Sequence, residues 1–167
     1  MLSNSNGGCG SLVKIREEGI VDLKNFTTQE KPGRNLRNSL NRFHKLGYQV
    51  KFTQPPITDE LLAKLKVISD QWLEAMQGSE KQFSLSWFNY NYLRNCKIVT
   101  VDSHEGEIVA FANIVPEYQQ NEATIYLMRK LNHTDHGVME FLFVSLFQHY
   151  KELNYDGFNL GFRDFLD

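Results

Sequence analysis

The chain has 167 residues, of which 41% are hydrophobic and 23% charged, and its formal net charge is -2. This length suits one domain with a sizeable core, and the ordinary charged content argues against a disordered protein. Two cysteines are too few for a disulfide framework. The first residues lack the pattern of a secretory signal, and no stretch approaches the ~20 apolar residues that span a bilayer. The composition therefore predicts a soluble chain in a reducing compartment.

Positive charge is concentrated in one stretch of this nearly neutral chain. Between Glu30 and Asp59 there is no acid, and the six basic residues there are Lys31, Arg34, Arg37, Arg42, Lys45 and Lys51. The rest of the chain holds 12 basic and 20 acidic residues. A basic patch on an otherwise acidic protein marks a place where an anion can dock.

The first predicted elements surround this patch. "VKIREEGIVDLKNF" predicts a short strand and turn, and "RNLRNSLNRFHKL" predicts a helix between Pro32-Gly33 and Gly47. Leu36, Leu40 and Phe43 fall on one face of that helix. The opposite face, called the basic ridge below, carries Arg34, Arg37, Arg42 and Lys45. The ridge is either a solvated surface or a contact for phosphates of nucleic acid or lipid.

The middle of the chain predicts a strand, a helix and a hairpin. "YQVKF" alternates like a strand, and a helix begins at Thr58 or Asp59 and ends at Gly78. After an aromatic stretch, "KIVTVD" and "GEIVAFANIV" predict two strands joined by a turn over residues 103–106.

The last third predicts a strand, a buried helix and a strand. "EATIYLM" is the strand, and the following helix is opened by Thr134 or Asp135. That helix is apolar over most of its surface, which indicates deep burial. "YDGFNLGF" predicts the final strand.

This order of elements indicates the α+β class and the acetyltransferase-like (GNAT) fold, a mixed and mostly antiparallel sheet flanked by helices. A true acetyltransferase carries a glycine-rich loop at the step from strand to buried helix, where backbone N–H groups hold the CoA pyrophosphate. The same place reads "MRKLNHTDHGVM", with a single glycine. A CoA-dependent acyltransferase therefore loses most of its support.

Eight short sequence segments carry a more specific signal of a protein family. They are "IREEGIVDLKNFT", "GRNLRNSLNRFHKLGY", "ISDQWL", "SEKQFSLSWFNYNYL", "IVAFANIVP", "ATIYLMR", "GVMEFLF" and "YDGFNLGF". In this order and spacing, from about Val13 to Phe162, the chain resembles the cytosolic catalytic region of the phosphatidylglycerol lysyltransferases, also called multiple peptide resistance factors.

The resemblance implies an activity and a setting. Such enzymes move an aminoacyl group, usually lysyl, from aminoacyl-tRNA to a hydroxyl of phosphatidylglycerol, without metal or organic cofactor. Their catalytic region has two GNAT-like lobes at the cytoplasmic membrane face, behind a membrane-integral portion. By this resemblance residues 1–30 are a flexible N-terminus and connecting segment, and residues 31–167 are the second lobe. By the same resemblance we expect the first lobe and the membrane portion to lie outside the 167 residues given, and an exposed lobe surface would allow a homodimer.

The resemblance also places candidate residues. Both substrates are polyanions, so Arg34 and Arg37 of the basic ridge are candidates for phosphate binding. Glu80 would meet an ammonium group, or is a surface acid. Arg129 would directly follow the predicted strand "EATIYLM" and bind a phosphate or the tRNA end, or it forms a structural ion pair. Asn113 would orient a carbonyl or hydroxyl, or bonds to buried backbone.

Other observations weaken or complete this interpretation. Ser84 and Asn159 are further binding candidates of the same kind as Asn113. Tyr126 stands where the family typically has an acid before "LMR", which puts the amino acid specificity in question. The one acid and two histidines of "NHTDHG" predict a polar helix entry rather than a metal site. The rival interpretation is a non-catalytic GNAT-like module that binds membrane, RNA or a protein.

Overall fold

The computed structural model of the chain describes residues 19–75, 88–118 and 120–160. Their strands are β1 (Ile20–Asp22), β2 (Gln49–Thr53), β3 (Lys97–Asp102), β4 (Ile108–Glu117), β5 (Glu122–Lys130) and β6 (Gly157–Asn159). Their helices are α1 (Arg34–Lys45), α2 (Asp59–Ala75), α3 (Tyr90–Arg94) and α4 (Val138–Glu152), and a 3-10 turn at Lys31–Gly33 precedes α1. The predicted strands and the three long predicted helices are thus present.

One mixed sheet organises the described residues. Its strand order is β1-β6-β5-β4-β3-β2. The pairs β2–β3, β3–β4 and β4–β5 are antiparallel, whereas β5 and β6 run parallel and are connected through α4. Their pairing covers only Glu122 to Thr124 on β5, so the rest of β5 extends beyond β6. This parallel step around a buried helix confirms the acetyltransferase-like α+β class.

The two faces of the sheet are covered by different helices. Helix α2 packs on β4 and β5. On the other face Phe147 of α4 contacts Phe158 of β6, with ring centroids 5.5 Å apart. The α4 face that the sequence predicted to be deeply buried is buried over its whole length, from Val138 to Tyr150. Apolar strands with helices on both sides make a single core.

Helix α1 joins this core through the predicted apolar face. Leu36, Leu40 and Phe43 are all buried. The Phe43 ring stacks on Phe141 of α4 at 5.1 Å and meets the Tyr48 ring edge-on at 5.2 Å. The basic ridge is thereby held away from the core on an ordered scaffold.

The predicted start of α4 is wrong by three or four residues. Helix α4 begins at Val138, after Gly137 with a left-handed φ of 90°. Asp135 does not cap the helix, because its Oδ2 accepts a hydrogen bond from the Tyr48 hydroxyl at 2.7 Å. A glycine is suited to this position, since other side chains rarely adopt that φ.

The Tyr48–Asp135 hydrogen bond gives a pH-dependent prediction. It raises the pKa of Tyr48 above its ordinary value of 10.0. The folded chain therefore favours the protonated phenol, so this stabilisation is complete below pH ~10 and is lost as the pH rises through the raised pKa. Tyr48→Phe is expected to lower the free energy of unfolding by ~0.5–1 kcal/mol at neutral pH. Denaturant titrations at neutral and alkaline pH would measure this.

A matched control for this prediction is Tyr118→Phe. Tyr118 is almost fully exposed, so its hydroxyl is expected to contribute nothing measurable. A Tyr48→Phe difference that stays constant as the pH rises past the raised pKa would contradict the assigned hydrogen bond.

Two short elements extend the sequence interpretation. Helix α3 was not predicted within the aromatic stretch; its signal is Asn89, whose Oδ1 accepts a hydrogen bond from the Tyr92 N–H at 3.0 Å. Strand β1 lies inside the predicted connecting segment and pairs with β6 at the sheet edge. The proposed division into residues 1–30 and 31–167 stays a prediction.

Candidate functional site

An irregularity between β4 and β5 forms the centre of the candidate site. Asn113 pairs with Leu127, and the next residue of β4, Ile114, pairs with Ile125. Tyr126 is therefore an extra residue on β5, in other words a β-bulge. Bulges redirect side chains, and here Tyr126 is 46% exposed between two buried neighbours.

Asn113 holds the bulge together. Its side-chain Oδ1 accepts a hydrogen bond from the Leu127 N–H at 2.7 Å. The residue is fully buried, and its amide nitrogen Nδ2 has no hydrogen-bond partner within the described part of the chain. Asn113 thus bonds to backbone, as one of its two predicted interpretations requires, and still presents a buried donor. An unmade buried hydrogen bond is costly, so this donor calls for an explanation.

Tyr92 of α3 closes the bulge on its outer side. Its ring meets the Tyr126 ring at 5.2 Å and an interplanar angle of 62°. The backbone carbonyl of Tyr92 accepts a hydrogen bond from the Cys96 thiol at 3.3 Å. Burial and the nearby Cys96 raise the pKa of the Tyr92 hydroxyl, while the Asn113 amide that it faces lowers it. The net shift is upward, so the hydroxyl is protonated at neutral pH.

Arg129 lies two residues beyond Leu127 on the same face of β5. It is only 3% exposed, and its guanidinium carbon is 3.9 Å from the centroid of a Trp72 ring on α2. Its Nη1 donates a hydrogen bond to the Met128 carbonyl at 2.9 Å. Burial lowers the pKa of Arg129 to about 10, so the side chain remains cationic at neutral pH. The prediction that Arg129 follows the strand is wrong, because β5 continues to Lys130.

The bulge and the basic ridge are on different sides of the sheet. Asn113 and Arg129 share the face covered by α2, since Asn113 pairs with Leu127 and Arg129 lies two residues further along β5. Helix α1 packs on α4, which covers the other face. The structure therefore places Asn113 and Arg129 on one face of the sheet, with the Tyr126 bulge on the same strand as Arg129, and it leaves Arg34 and Arg37 on the other side.

The basic ridge itself is accessible. Arg34, Arg42 and Lys45 are exposed, and Arg37 is half-buried. Arg37 Nη1 donates to the Gln29 carbonyl at 3.3 Å, and Arg42 Nη1 donates to the His136 carbonyl at 3.4 Å. Within the described part of the chain, none of the four ridge residues forms an ion pair with a carboxylate.

The remaining candidates are placed as follows. Glu80 and Ser84 lie outside the described residues. Asn159 is half-buried at the end of β6, opposite Thr124 and Ile20. Among residues 19–75, 88–118 and 120–160, no group of three or more His, Cys, Asp or Glu is arranged to hold a metal ion. Within the same ranges no helix is long and apolar enough to cross a membrane.

Comparison with known proteins decides the family. The family model described as "Phosphatidylglycerol lysyltransferase, C-terminal" matches residues 7–165 of the chain. The chain belongs to this family.

Individual members of the family agree with this assignment. Over 148 residues the chain is 41% identical to the phosphatidylglycerol lysyltransferase of Bacillus subtilis and 34% identical to that of Staphylococcus aureus. L-PGS from Bacillus licheniformis superposes with a TM-score of 0.75 at 43% identity, over 84% of this chain. The chain covers 17% of the length of each of the two named lysyltransferases and 43% of the solved L-PGS chain.

Proposed function

We propose that the chain carries out part of the transfer of an aminoacyl group, most simply lysyl, from aminoacyl-tRNA to the free hydroxyl of phosphatidylglycerol at the cytoplasmic face of the membrane. The match to the lysyltransferase C-terminal family over residues 7–165 carries this proposal. The chain covers 17% of the length of its curated relative from Bacillus subtilis. We therefore propose that it acts together with the remaining domains of such a protein.

The transfer depends on the relative positions of the acceptor hydroxyl and the ester carbonyl more than on a cofactor. The acyl group arrives as an activated ester, and the acceptor is an alcohol. The hydroxyl must be placed against the ester carbonyl, and the oxyanion that forms must be stabilised. A cationic, buried Arg129 beside the bulge supports this function, because arginine binds phosphate or carbonyl oxygens through fixed donors.

The basic ridge of α1 supports docking on an anionic surface. Its residues lie on the outer side of a helix that Phe43 fixes to the core. The sequence from Lys31 to Thr58, which includes this helix, contains no acid. Because the ridge is on the face of the sheet away from Arg129, it does not contribute to the transfer site. We assign it to the anionic membrane surface, and an outcome in which it binds tRNA instead would appear in the same test.

Charge reversal on the ridge tests that assignment. Arg34→Glu combined with Arg37→Glu is expected to weaken binding to phosphatidylglycerol vesicles at least tenfold, since each basic residue near an anionic membrane contributes ~1 kcal/mol. Cosedimentation at fixed ionic strength measures the effect. The control is Lys24→Glu with Lys64→Glu, which makes the same change in net charge at two exposed sites off the ridge.

Either of two results would contradict this role of the ridge. Equal losses in the test and control pairs would show that only net charge matters. Unchanged vesicle binding, with weakened tRNA binding in a filter assay, would reassign the ridge to the nucleic acid.

The transfer itself is tested with lysyl-tRNA labelled in its lysine and with phosphatidylglycerol vesicles. The expected result is label in the extracted lipid at a rate proportional to the amount of chain. A second candidate is the non-catalytic lobe, favoured by Tyr126 at the position where the family typically has an acid and by the 17% coverage of the relatives. It predicts vesicle binding without label transfer.

A further inference from the structure

The buried amide of Asn113 and the exposed edge of Tyr92 form a pair that the activity proposed above does not yet use. Asn113 is fully buried, and its Oδ1 is already committed to the Leu127 N–H at 2.7 Å. That bond fixes the orientation of the amide, so Nδ2 is directed away from Leu127. Nδ2 has no hydrogen-bond partner in the described residues, and the hydroxyl of Tyr92 is the polar group that it faces.

Tyr92 links this buried donor to the surface. The residue is 40% exposed, so part of the side chain reaches solvent beside Tyr126. Its backbone is fixed at both ends, since Asn89 accepts a hydrogen bond from its N–H and Cys96 donates one to its carbonyl. A hydroxyl that accepts from Nδ2 has its own hydrogen left to donate outwards.

We infer that the Tyr92 hydroxyl is a catalytic hydrogen-bond donor to the carbonyl oxygen of the aminoacyl ester, and that Asn113 is the residue that orients this hydroxyl. This inference rests on the proposed function and names a donor for the oxyanion of the same reaction. This role requires Nδ2 to donate to the Tyr92 hydroxyl in the substrate complex, where catalytic hydrogen bonds tighten.

The protonation state of the Tyr92 hydroxyl supports a role as hydrogen-bond donor rather than as general base. A phenol of ordinary pKa 10.0 is protonated at neutral pH, and burial and the neighbouring Cys96 raise the pKa of Tyr92 further, so it does not remove a proton from the acceptor alcohol. A protonated phenol is suited to an oxygen that gains negative charge in the transition state. The carbonyl oxygen of an ester under attack is such an atom.

The step balances as an acyl transfer. The acceptor hydroxyl oxygen forms a bond to the carbonyl carbon, and the carbonyl π electrons move to the oxygen that Tyr92 contacts. When the carbonyl re-forms, the bond to the ribose oxygen breaks. The proton lost by the acceptor alcohol is taken by the ribose oxygen that leaves. Tyr92 keeps its proton throughout, and no redox partner takes part.

Removing one hydroxyl tests the inference. Tyr92→Phe keeps the ring that packs on Tyr126 and removes the donor alone. It is expected to lower the turnover rate about 100- to 1000-fold and to leave the half-saturating phosphatidylglycerol concentration unchanged, as for loss of one oxyanion donor. The control is Tyr90→Phe, an exposed tyrosine on the same helix, which should be neutral.

A binding measurement makes the inference independent of turnover. The probe is the phosphonic acid analogue of lysine as its glyceryl monoester, whose tetrahedral charged phosphorus stands in for the oxyanion; lysinamide, with a planar carbonyl, is the comparison. Tryptophan fluorescence titration is expected to show about tenfold weaker phosphonate binding in Tyr92→Phe, with lysinamide binding changed less than about twofold.

The outcomes separate the two proposals. A wild-type chain that transfers no label but shows this phosphonate selectivity contradicts the proposed function of the chain and supports the role of Tyr92. Transfer with equal rates in wild type and Tyr92→Phe, equal losses of both probes, or no phosphonate binding by wild type would each overturn the inference.

The orienting role of Asn113 has its own test. Asn113→Asp keeps an oxygen for the Leu127 N–H and replaces the Nδ2 donor by an acceptor. Phosphonate binding should fall as far as in Tyr92→Phe, and the double variant should be no weaker than Tyr92→Phe alone. Additive losses would show that Asn113 does not act through Tyr92. If Asn113→Asp fails to fold, Tyr92→Phe still decides the role of the donor.

Discussion

Arg129→Lys is expected to lower the rate of lysyl transfer about 100-fold while the chain remains folded. The guanidinium carbon lies over the Trp72 ring, 3.9 Å from its centroid, and the residue is almost fully buried. Lysine preserves the charge, yet an ammonium group cannot stack as a plane or offer paired donors to one anion. The initial rate of label transfer to phosphatidylglycerol measures the loss, and a thermal melt verifies the fold.

Three further variants separate the effect of position from the effect of charge. Trp72→Phe keeps an aromatic face and should lose less activity than Trp72→Ala, which removes the surface that holds Arg129. Lys130→Arg, on the next residue of β5, is the matched exchange in the opposite direction and should be neutral. A fully active Arg129→Lys variant would contradict the assignment of Arg129 to the site.

Phe43→Ala is expected to produce the largest loss of stability, about 3–5 kcal/mol in the free energy of unfolding. Phe43 is fully buried, stacks on Phe141 and contacts the Tyr48 ring. A Cβ built on Gly137 would lie 3.3 Å from its ring, so the start of α4 is packed directly on it. Truncation therefore leaves a cavity between two helices. Urea titration measures the change.

The same variant has a functional consequence. Because Phe43 fixes α1, its loss should also weaken vesicle binding, even though no charge is altered. Asn41→Ala, at an exposed position of the same helix, is the control for both measurements and should change the free energy of unfolding by less than ~0.5 kcal/mol. Normal vesicle binding by a destabilised Phe43→Ala variant would contradict the role given to the ordered helix.

Regular patterns in the sequence were sufficient for most of the fold. The apolar positions of α1 recur at helical spacing, and Leu36, Leu40 and Phe43 are buried as predicted. Strand β3 has the bounds that "KIVTVD" indicates, and the turn after it is closed by the Gly106 N–H donating to the Ser103 carbonyl. In these elements the local pattern and the tertiary packing agree.

Features that depend on distant partners were not predictable. Asp135 fits a helix cap by sequence, but Tyr48, 87 positions away, takes its carboxylate. The bulge at Tyr126 has no glycine to signal it and depends on the Asn113 side chain of another strand. The extra residue also reverses the alternation of side chains beyond it on β5, so Arg129 faces Trp72. The candidate site could thus be named by resemblance but not assembled from the sequence.

The most direct test of the account is the choice of acceptor lipid. Labelled lysyl-tRNA would be incubated with the chain and with vesicles of phosphatidylglycerol, or of phosphatidic acid, which is anionic but lacks the glycerol hydroxyl. We expect label in the lipid extract with phosphatidylglycerol and none with phosphatidic acid. The chain should bind both kinds of vesicle through the basic ridge. Binding to both without label in either lipid would contradict it.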